Sequence, residues 1–430
     1  MRVNVITLGC SKNLIDSERV LKLFENAGIK AVHEGPHADG DIVVINTCGF
    51  IGDAKEESIN TILEYAEAKN TGLIDKLYVM GCLSERYPNE LPAEIPEVDK
   101  WYGKFDWITI VSDILNTKTN DSEYGRVITT PSHHAYLKIA EGCNRFCAFC
   151  AIPIITGRYK SRAIEDIVKE VKSLVKQGVK EFNIIAQDLS SYGLDLYGEM
   201  RLAQLVDTLA DIEGVKWIRL HYAYPSQIPM ELLDVMARRD NVCKYLDIAL
   251  QHINNKVLDN MCRHITSQET RELIAEMRRR VPGLHLRTTL MVGFPGEGEE
   301  EFKELLEFVK ETKFERMGAF AYCEEEDTYA ARHFDDIISD DVKQTRLSQL
   351  MAVQEQISLE INESKIGQTI DVIIDREEND YYICRTQWDS PEVDPEVLIE
   401  KDKKLEIGEF YKVTIKSALP FELIAQITNQ

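Results

Sequence analysis

A chain of 430 residues with 44% hydrophobic and 29% charged residues has the composition of a soluble globular protein of roughly two to four domains. Its formal net charge of −23 argues against a nucleic-acid binder that grips phosphates with a basic face, and favours a small molecule or a basic protein as partner. No stretch reads as a membrane span, and ten cysteines are too sparse for a disulfide scaffold, so the expected setting is cytoplasmic, with clustered cysteines binding metal or catalysing.

In chain order, "RVNVITLG" reads as a short buried strand ahead of the amphipathic "DSERVLKLFENAG", which closes on Gly28. "DIVVINT" precedes the helical "AKEESINTILEYAEAKN", and "KLYVMG" precedes a Pro-rich stretch and "FDWITIVSDIL". Short β-branched runs alternating with helices imply a doubly wound parallel sheet, assigned to residues 1–116. Residues 117–134 lack periodicity and read as a linker.

From Ala135 the alternation resumes through "AYLKIAE", "EFNIIAQD", "WIRLHYAY", "KYLDIALQ", "HLRTTLMVG" and "RMGAFAYC", with amphipathic helical patterns between them. Six strand–helix units over residues 135–362 suit a partial β/α barrel of parallel strands; an open doubly wound sheet is the alternative on pattern alone. A long helical stretch, "SDDVKQTRLSQLMAVQEQISLEINES", is followed over residues 363–430 by short strands with turn residues, the pattern of a small all-β barrel. This last segment is also acidic, with net charge −7.

Three cysteines, Cys143, Cys147 and Cys150, follow the first barrel strand in "EGCNRFCAFC". Thiolates are soft ligands for zinc or iron–sulfur clusters, and three of them on a four-iron cluster leave one iron for a substrate or cofactor. A zinc site completed by a distant His, or a packed loop with incidental cysteines, is the plainer alternative. A second set, Cys10, Cys48 and Cys82, lies just beyond the carboxyl ends of three N-terminal strands, which converge on one crevice in an open parallel sheet. The adjacent Gly9, Gly49 and Gly81 would let backbone approach a bulky inorganic core, although three buried structural cysteines would also fit. Cys243, Cys262, Cys323 and Cys384 read as packing residues.

Polar residues at the other barrel strand ends are candidates for a cofactor pocket. Gln187 and Asp188 end the second strand, Gln251 the fourth, and Arg287 with the "VGFPGE" turn belongs to the fifth. Gly293 and Gly296 would let that turn approach an adenosine moiety, unless it is an ordinary tight βα turn.

The spacing CxxxCxFC, with Phe149 before the last cysteine, resembles the signature of the radical S-adenosylmethionine enzymes. That resemblance implies that the open iron is chelated by S-adenosylmethionine and that one electron from the cluster releases a 5′-deoxyadenosyl radical. Two three-cysteine sets, one in an α/β domain and one opening a barrel, with a β domain behind, resemble the methylthiotransferases along essentially the whole chain. "LGCSKNLIDSE", "NTCGFIGDAKEESI", "EGCNRFCAFCAIPIITGRYKSR", "AQDLSSYG", "LQHINNKVLDNMCR", "RTTLMVGFPGEGEEEF" and "GAFAYCEEEDTYA" look like the branch acting on protein twelve of the small ribosomal subunit. Thr156 departs from the family, which often has Arg there.

The resemblance implies two [4Fe-4S] clusters, one on Cys10, Cys48 and Cys82 and one on Cys143, Cys147 and Cys150, each with an open iron. It implies S-adenosylmethionine as methyl donor and radical source, an aspartate β-carbon as acceptor, and a TRAM-like C-terminal domain with an OB-like barrel. An electron-donor protein such as a flavodoxin or ferredoxin, a monomeric state and the absence of a membrane partner complete the expectation. Methylthiolation of a tRNA adenosine shares the catalytic residues and stays open at this point, as does a non-catalytic iron–sulfur carrier.

Overall fold

The computed structural model describes residues 2–35, 42–119 and 125–428. The part of the expected linker at residues 120–124 lies outside them. The chain divides into two compact units, the first made of Met1–Thr130, Tyr136–Asn144 and Cys150–Leu174, the second of Pro131–Ala135, Arg145–Phe149 and Val175–Gln430.

In the first unit, β1 (Arg2–Thr7), β2 (Lys30–His33), β3 (Ile42–Thr47), β4 (Lys76–Gly81) and β5 (Lys100–Trp101) form a parallel sheet in the order β2-β1-β3-β4-β5. Strand β3 is buried along its full length, as a central strand covered on both faces must be. Its Val43 and Ile45 pack with Ile62 and Tyr65 of the helix Gly52–Asn70. Ile42 and Val44 face Val20 and Phe24 of the helix Ser11–Asn26, with Ile110 of the helix Trp107–Leu115. The sheet is therefore doubly wound, and the strand order reverses between β1 and β3, where such sheets open a crevice at their carboxyl ends.

The unit also holds the end of β6 (His134–Lys138) and the antiparallel pair β7 (Ala140–Glu141) and β8 (Lys160–Ser161). Here Glu170, buried on the helix Ile164–Lys176, lies 3.0 Å from Arg126 and 2.5 Å from Arg162. Burial raises its carboxyl pKa, but the Arg162, Arg126 and Arg19 guanidiniums outweigh burial and bring it down to about 2. A depressed carboxyl stabilises the fold above its unfolded pKa of roughly 4.3 and loses that contribution as pH falls through the folded value. Thermal melts taken from about pH 5 to about pH 2 should accordingly show a falling midpoint, and Glu170→Gln should start lower and fall less steeply. Equal slopes for the two proteins would refute this role for Glu170.

The second unit is built on parallel strands β9 (Glu181–Ile185), β10 (Trp217–Ala223), β11 (Val242–Gln251), β12 (His285–Val292) and β13 (Arg316–Ala321). Their order is β13-β12-β11-β10-β9, with β6, whose first residues His134 and Ala135 belong to this unit, at the edge. Neighbours in sequence are neighbours in space, the winding of a β/α barrel, and the six strands stay open as a partial barrel.

The helix Asp340–Glu363 leads into β14 (Thr369–Glu378), β15 (Tyr381–Thr386), β16 (Glu396–Glu400), β17 (Phe410–Leu419) and β18 (Glu422–Ile427), a closed barrel in the order β14-β15-β16-β18-β17. Val372, Ile374, Val397, Val413 and Leu423 fill it. It sits on the parallel sheet through buried ions: Glu181 of β9 meets Arg219 of β10 at 3.1 Å and Arg385 of β15 at 2.8 Å. Arg385 also binds Asp375 at 2.5 Å, and Asp375 meets His133 at 2.7 Å. Trp217 and Phe410 pack edge-on beside them, with ring centroids 4.8 Å apart. No described helix is long and apolar enough to cross a membrane.

Candidate active site

Cys10 follows β1, Cys48 follows β3 and Cys82 follows β4, so the strand order puts the first two on either side of the reversal. Backbone constraints hold them close. A Cβ at Gly9, whose φ is +90°, would fall 2.9 Å from Cys48 Sγ. A Cβ at Gly81, with φ +111°, would collide at 2.5 Å with Asn46 Oδ1. Only glycine combines this positive φ with so close an approach. The Ser58 hydroxyl accepts from the Cys48 N–H and donates to the Cys48 carbonyl, both at 3.0 Å, tying that cysteine to the helix Gly52–Asn70.

The three thiols differ electrostatically. Burial pushes the Cys82 thiol up to about 12, and burial also raises Cys48. At Cys10, dense surroundings raise the pKa, but the Lys12 and Lys104 ammoniums outweigh them and leave it below the ordinary thiol value. Among the described residues, no three His, Cys, Asp or Glu side chains are drawn onto a common ligating centre. The donor set nevertheless suits iron: thiols only, glycine backbone pressed against them, and a buried ammonium beside them.

Two residues that the sequence pattern did not single out organise this crevice. Asn13, buried on the first turn of its helix, donates to the carbonyls of Leu8 and Thr47 at 2.9 Å each, clamping the ends of β1 and β3. That fixes its Oδ1, which accepts from the Cys82 thiol at 3.5 Å and from the Lys104 ammonium at 3.4 Å. Asn13 lies within the quoted "LGCSKNLIDSE", so its signal was present. Lys104 stands alone in a loop with no pattern to mark it.

The loop carrying the other three cysteines contributes Cys143 and Cys150 to the first unit and Cys147 to the second. In the first, the buried Cys143 donates its N–H to the Gly157 carbonyl at 3.2 Å. Thr156, where the resembling family often has Arg, ends the short helix Ile152–Thr156 by donating its hydroxyl to the Ile152 carbonyl at 2.9 Å.

In the second, Arg263 Nη1 donates to Cys147 Sγ at 3.1 Å. The Tyr224 ring lies between the Arg145 and Arg263 guanidiniums, 4.3 and 4.2 Å from its centroid. Phe149 packs edge-on against Phe294, which in turn meets Tyr322. Ala148 exchanges backbone hydrogen bonds with Met261 and Ala330. The aromatic residue before the last cysteine thus anchors its loop on the "GFPGE" turn.

The remaining candidates are all in the second unit. Gln187 is partly buried just past β9, and Asp188 caps the following turn, accepting from Ser190 N at 2.8 Å and pairing with Arg145 at 2.7 Å. Gln251 ends β11 with φ +73°, a strained conformation for a non-glycine residue. Arg287 pairs with Asp394, at 3.2 Å, and lies 4.0 Å from Asp247. The space freed at Gly293 and Gly296 is taken by the chain's own Lys343 and Asn260 side chains.

The turn is organised by a residue that sequence reasoning passed over. Buried Glu297 accepts from the Gly293 N–H at 2.9 Å and Arg346 Nη1 at 2.7 Å, and lies 3.1 Å from His252 Nε2. Of the four cysteines read as packing residues, Cys243 and Cys384 are buried and Cys262 partly so. Cys323 is exposed, because it follows β13 in a surface turn, and the packing reading is corrected there.

Residues 2–103 match the uncharacterized protein family UPF0004, residues 137–309 the Radical SAM superfamily and residues 366–428 the TRAM domain. The ribosomal protein uS12 methylthiotransferase RimO of Phocaeicola vulgatus is 59% identical over 426 residues, covering 99% of both chains. That of Parabacteroides distasonis is 58% identical over 428 residues, covering 100% of this chain and 99% of the relative. Among solved structures, the radical S-adenosylmethionine methyltransferase TsrM from Kitasatospora setae shares the fold at TM-score 0.57 and 15% identity, over 77% of each chain. With such relatives along its whole length, the chain belongs to the family of ribosomal protein uS12 methylthiotransferases, radical SAM proteins with a TRAM domain.

Proposed function

We propose that this protein is an enzyme that methylthiolates the β-carbon of an aspartate side chain in ribosomal protein uS12. The observation that carries the reading is the pairing of a three-cysteine crevice at the sheet reversal with a second three-cysteine loop inside a radical SAM match. Membership of the radical SAM superfamily implies a [4Fe-4S] cluster and S-adenosylmethionine. The fuller assignment is two such clusters, on Cys10, Cys48 and Cys82 and on Cys143, Cys147 and Cys150, each leaving one iron open.

When bound, the cofactor supplies a methyl group to sulfur at the first set and, at the second, the radical that removes hydrogen from the unactivated C–H bond. The chain's own residues position and shield. Asn13 fixes the ends of two strands beneath the first set, and Arg263 and Phe149 hold the second loop in place. Gln187, Asp188, Gln251, Arg287, Gly293 and Gly296 are assigned to the S-adenosylmethionine pocket.

The functional partition is residues 1–116, 135–362 and 363–430. The acidic C-terminal barrel suits a basic ribosomal protein better than a tRNA backbone. A reducing protein partner of the flavodoxin or ferredoxin kind, a cytoplasmic setting and a monomeric state complete the proposal.

Anaerobic reconstitution with iron and sulfide, followed by reaction with S-adenosylmethionine, a strong reductant and either a uS12 loop peptide or bulk tRNA, tests it by mass spectrometry. A methylthio gain on an aspartate of the peptide alone is expected. A gain on tRNA alone would replace the substrate while keeping the chemistry. Cys48→Ala should still cleave S-adenosylmethionine at a rate within about twofold of the parent yet yield no methylthio product, as expected if its set holds the sulfur. Methylthio product from that variant would remove the first set from the reaction.

A further inference from the structure

Lys104 is 2% exposed, and its ammonium takes the longer contacts of a buried charged cluster. It lies 3.3 Å from Asp16, 3.4 Å from Asn13 Oδ1 and 3.9 Å from Glu141. The same two carboxylates are engaged more closely by Lys138, at 2.6 Å for Asp16 and 2.7 Å for Glu141. The four side chains form a ring of alternating charge in which one lysine takes the short contacts and the other the long ones. The loop bearing Lys104 is fixed from outside, since its backbone N–H donates to Glu85 at 2.9 Å, so the ammonium is directed inward by the fold.

A buried ammonium normally has close anionic partners, because desolvating an uncompensated charge is costly. Lys104 has none closer than 3.3 Å in the ring, and it shares Asn13 Oδ1 with the Cys82 thiol. If Cys82 binds metal as thiolate it can no longer donate to that oxygen, and Lys104 becomes the donor left to it.

We propose that Lys104 is the positioning countercharge of the N-terminal cluster, the group that balances the anionic thiolate and sulfur set at Cys10, Cys48 and Cys82. The proposal rests on the reading of those cysteines as one ligand set. A cation so placed favours the more negative, reduced form of the cluster and raises its reduction potential.

The test uses the full-length chain with Cys143, Cys147 and Cys150 all replaced by alanine, so that only the first set can hold iron. Iron content and the midpoint potential, from a redox titration followed by electron paramagnetic resonance, are compared for this parent, for K104M and for K104R. The expected result is retained iron with a lower midpoint in K104M and a midpoint close to the parent's in K104R. An unchanged midpoint in iron-loaded K104M would overturn the proposal.

Should K104M bind no iron, the melting temperature of the metal-free chain decides. A value equal to or above the parent's supports a countercharge that only the cluster needs, whereas a lower value makes Lys104 a structural residue and sinks the idea. A parent that itself holds no iron would overturn the ligand assignment at Cys10, Cys48 and Cys82, and Lys104's role with it.

Discussion

Replacing Cys147 by alanine should abolish 5′-deoxyadenosine formation while leaving iron bound at Cys10, Cys48 and Cys82. Three thiolates are the fewest that hold a four-iron cluster and leave one iron for the cofactor, so losing one removes the site. Iron should fall from about eight to about four atoms per chain if two such clusters are present. Cys147 is also the thiol to which the Arg263 guanidinium donates at 3.1 Å. Alanine leaves that guanidinium with the Ala249 carbonyl and the Tyr224 ring, so the fold itself should persist. Reconstituted protein, S-adenosylmethionine and dithionite, analysed by chromatography, give the answer directly. Undiminished 5′-deoxyadenosine would remove Cys147 from the ligand set.

The largest effect on stability is expected at Glu181, far from any cysteine in sequence. Its carboxylate is fully buried between Arg219 and Arg385, and although burial raises its pKa, those two guanidiniums bring it down to about 2. Glu181→Gln keeps the shape but leaves both arginines without their shared anion. Breaking a buried ion network in this way costs about 3–5 kcal/mol. For a unit of this size the melting midpoint should drop by on the order of 10 °C. The half-buried Glu276, which pairs with Arg279 and Arg280 on one helix surface, offers the contrast: Glu276→Gln should leave the midpoint nearly unmoved, because surface pairs are screened by solvent. Differential scanning calorimetry of both variants separates the cases, and a shift of similar size in each would contradict the ion network as the seat of the C-terminal barrel.

The alternation of β-branched runs with amphipathic helices determined the doubly wound sheet, the partial barrel and the change to an all-β tail. These are local signals, since side-chain period and turn residues act within a few positions. The cysteine loop was legible for the same reason: Cys143, Cys147 and Cys150 lie within eight residues and carry their spacing with them. Cys10, Cys48 and Cys82 were singled out as candidates because each follows a strand, a local pattern that implies a shared crevice.

What only the tertiary structure decided depends on residues far apart in the chain. The order β2-β1-β3-β4-β5 sets the reversal between Cys10 and Cys48, and no sequence period encodes which strands are neighbours. Lys104 reaches Asp16 across 88 positions, and Glu181 reaches Arg385 across 204. Charged residues of this kind look like solvated surface in the sequence until folding removes the water around them. Arg287 and Glu297 show the same limit within one strand–turn unit. The sequence marked the strand of Arg287 and the turn that ends in Glu297, but not that Asp394 pairs with the arginine or that His252, Gly293 and Arg346 surround the glutamate. Local chemistry names the groups a chain brings to its sites; partner choice among buried charges is settled by whichever element the fold packs against them.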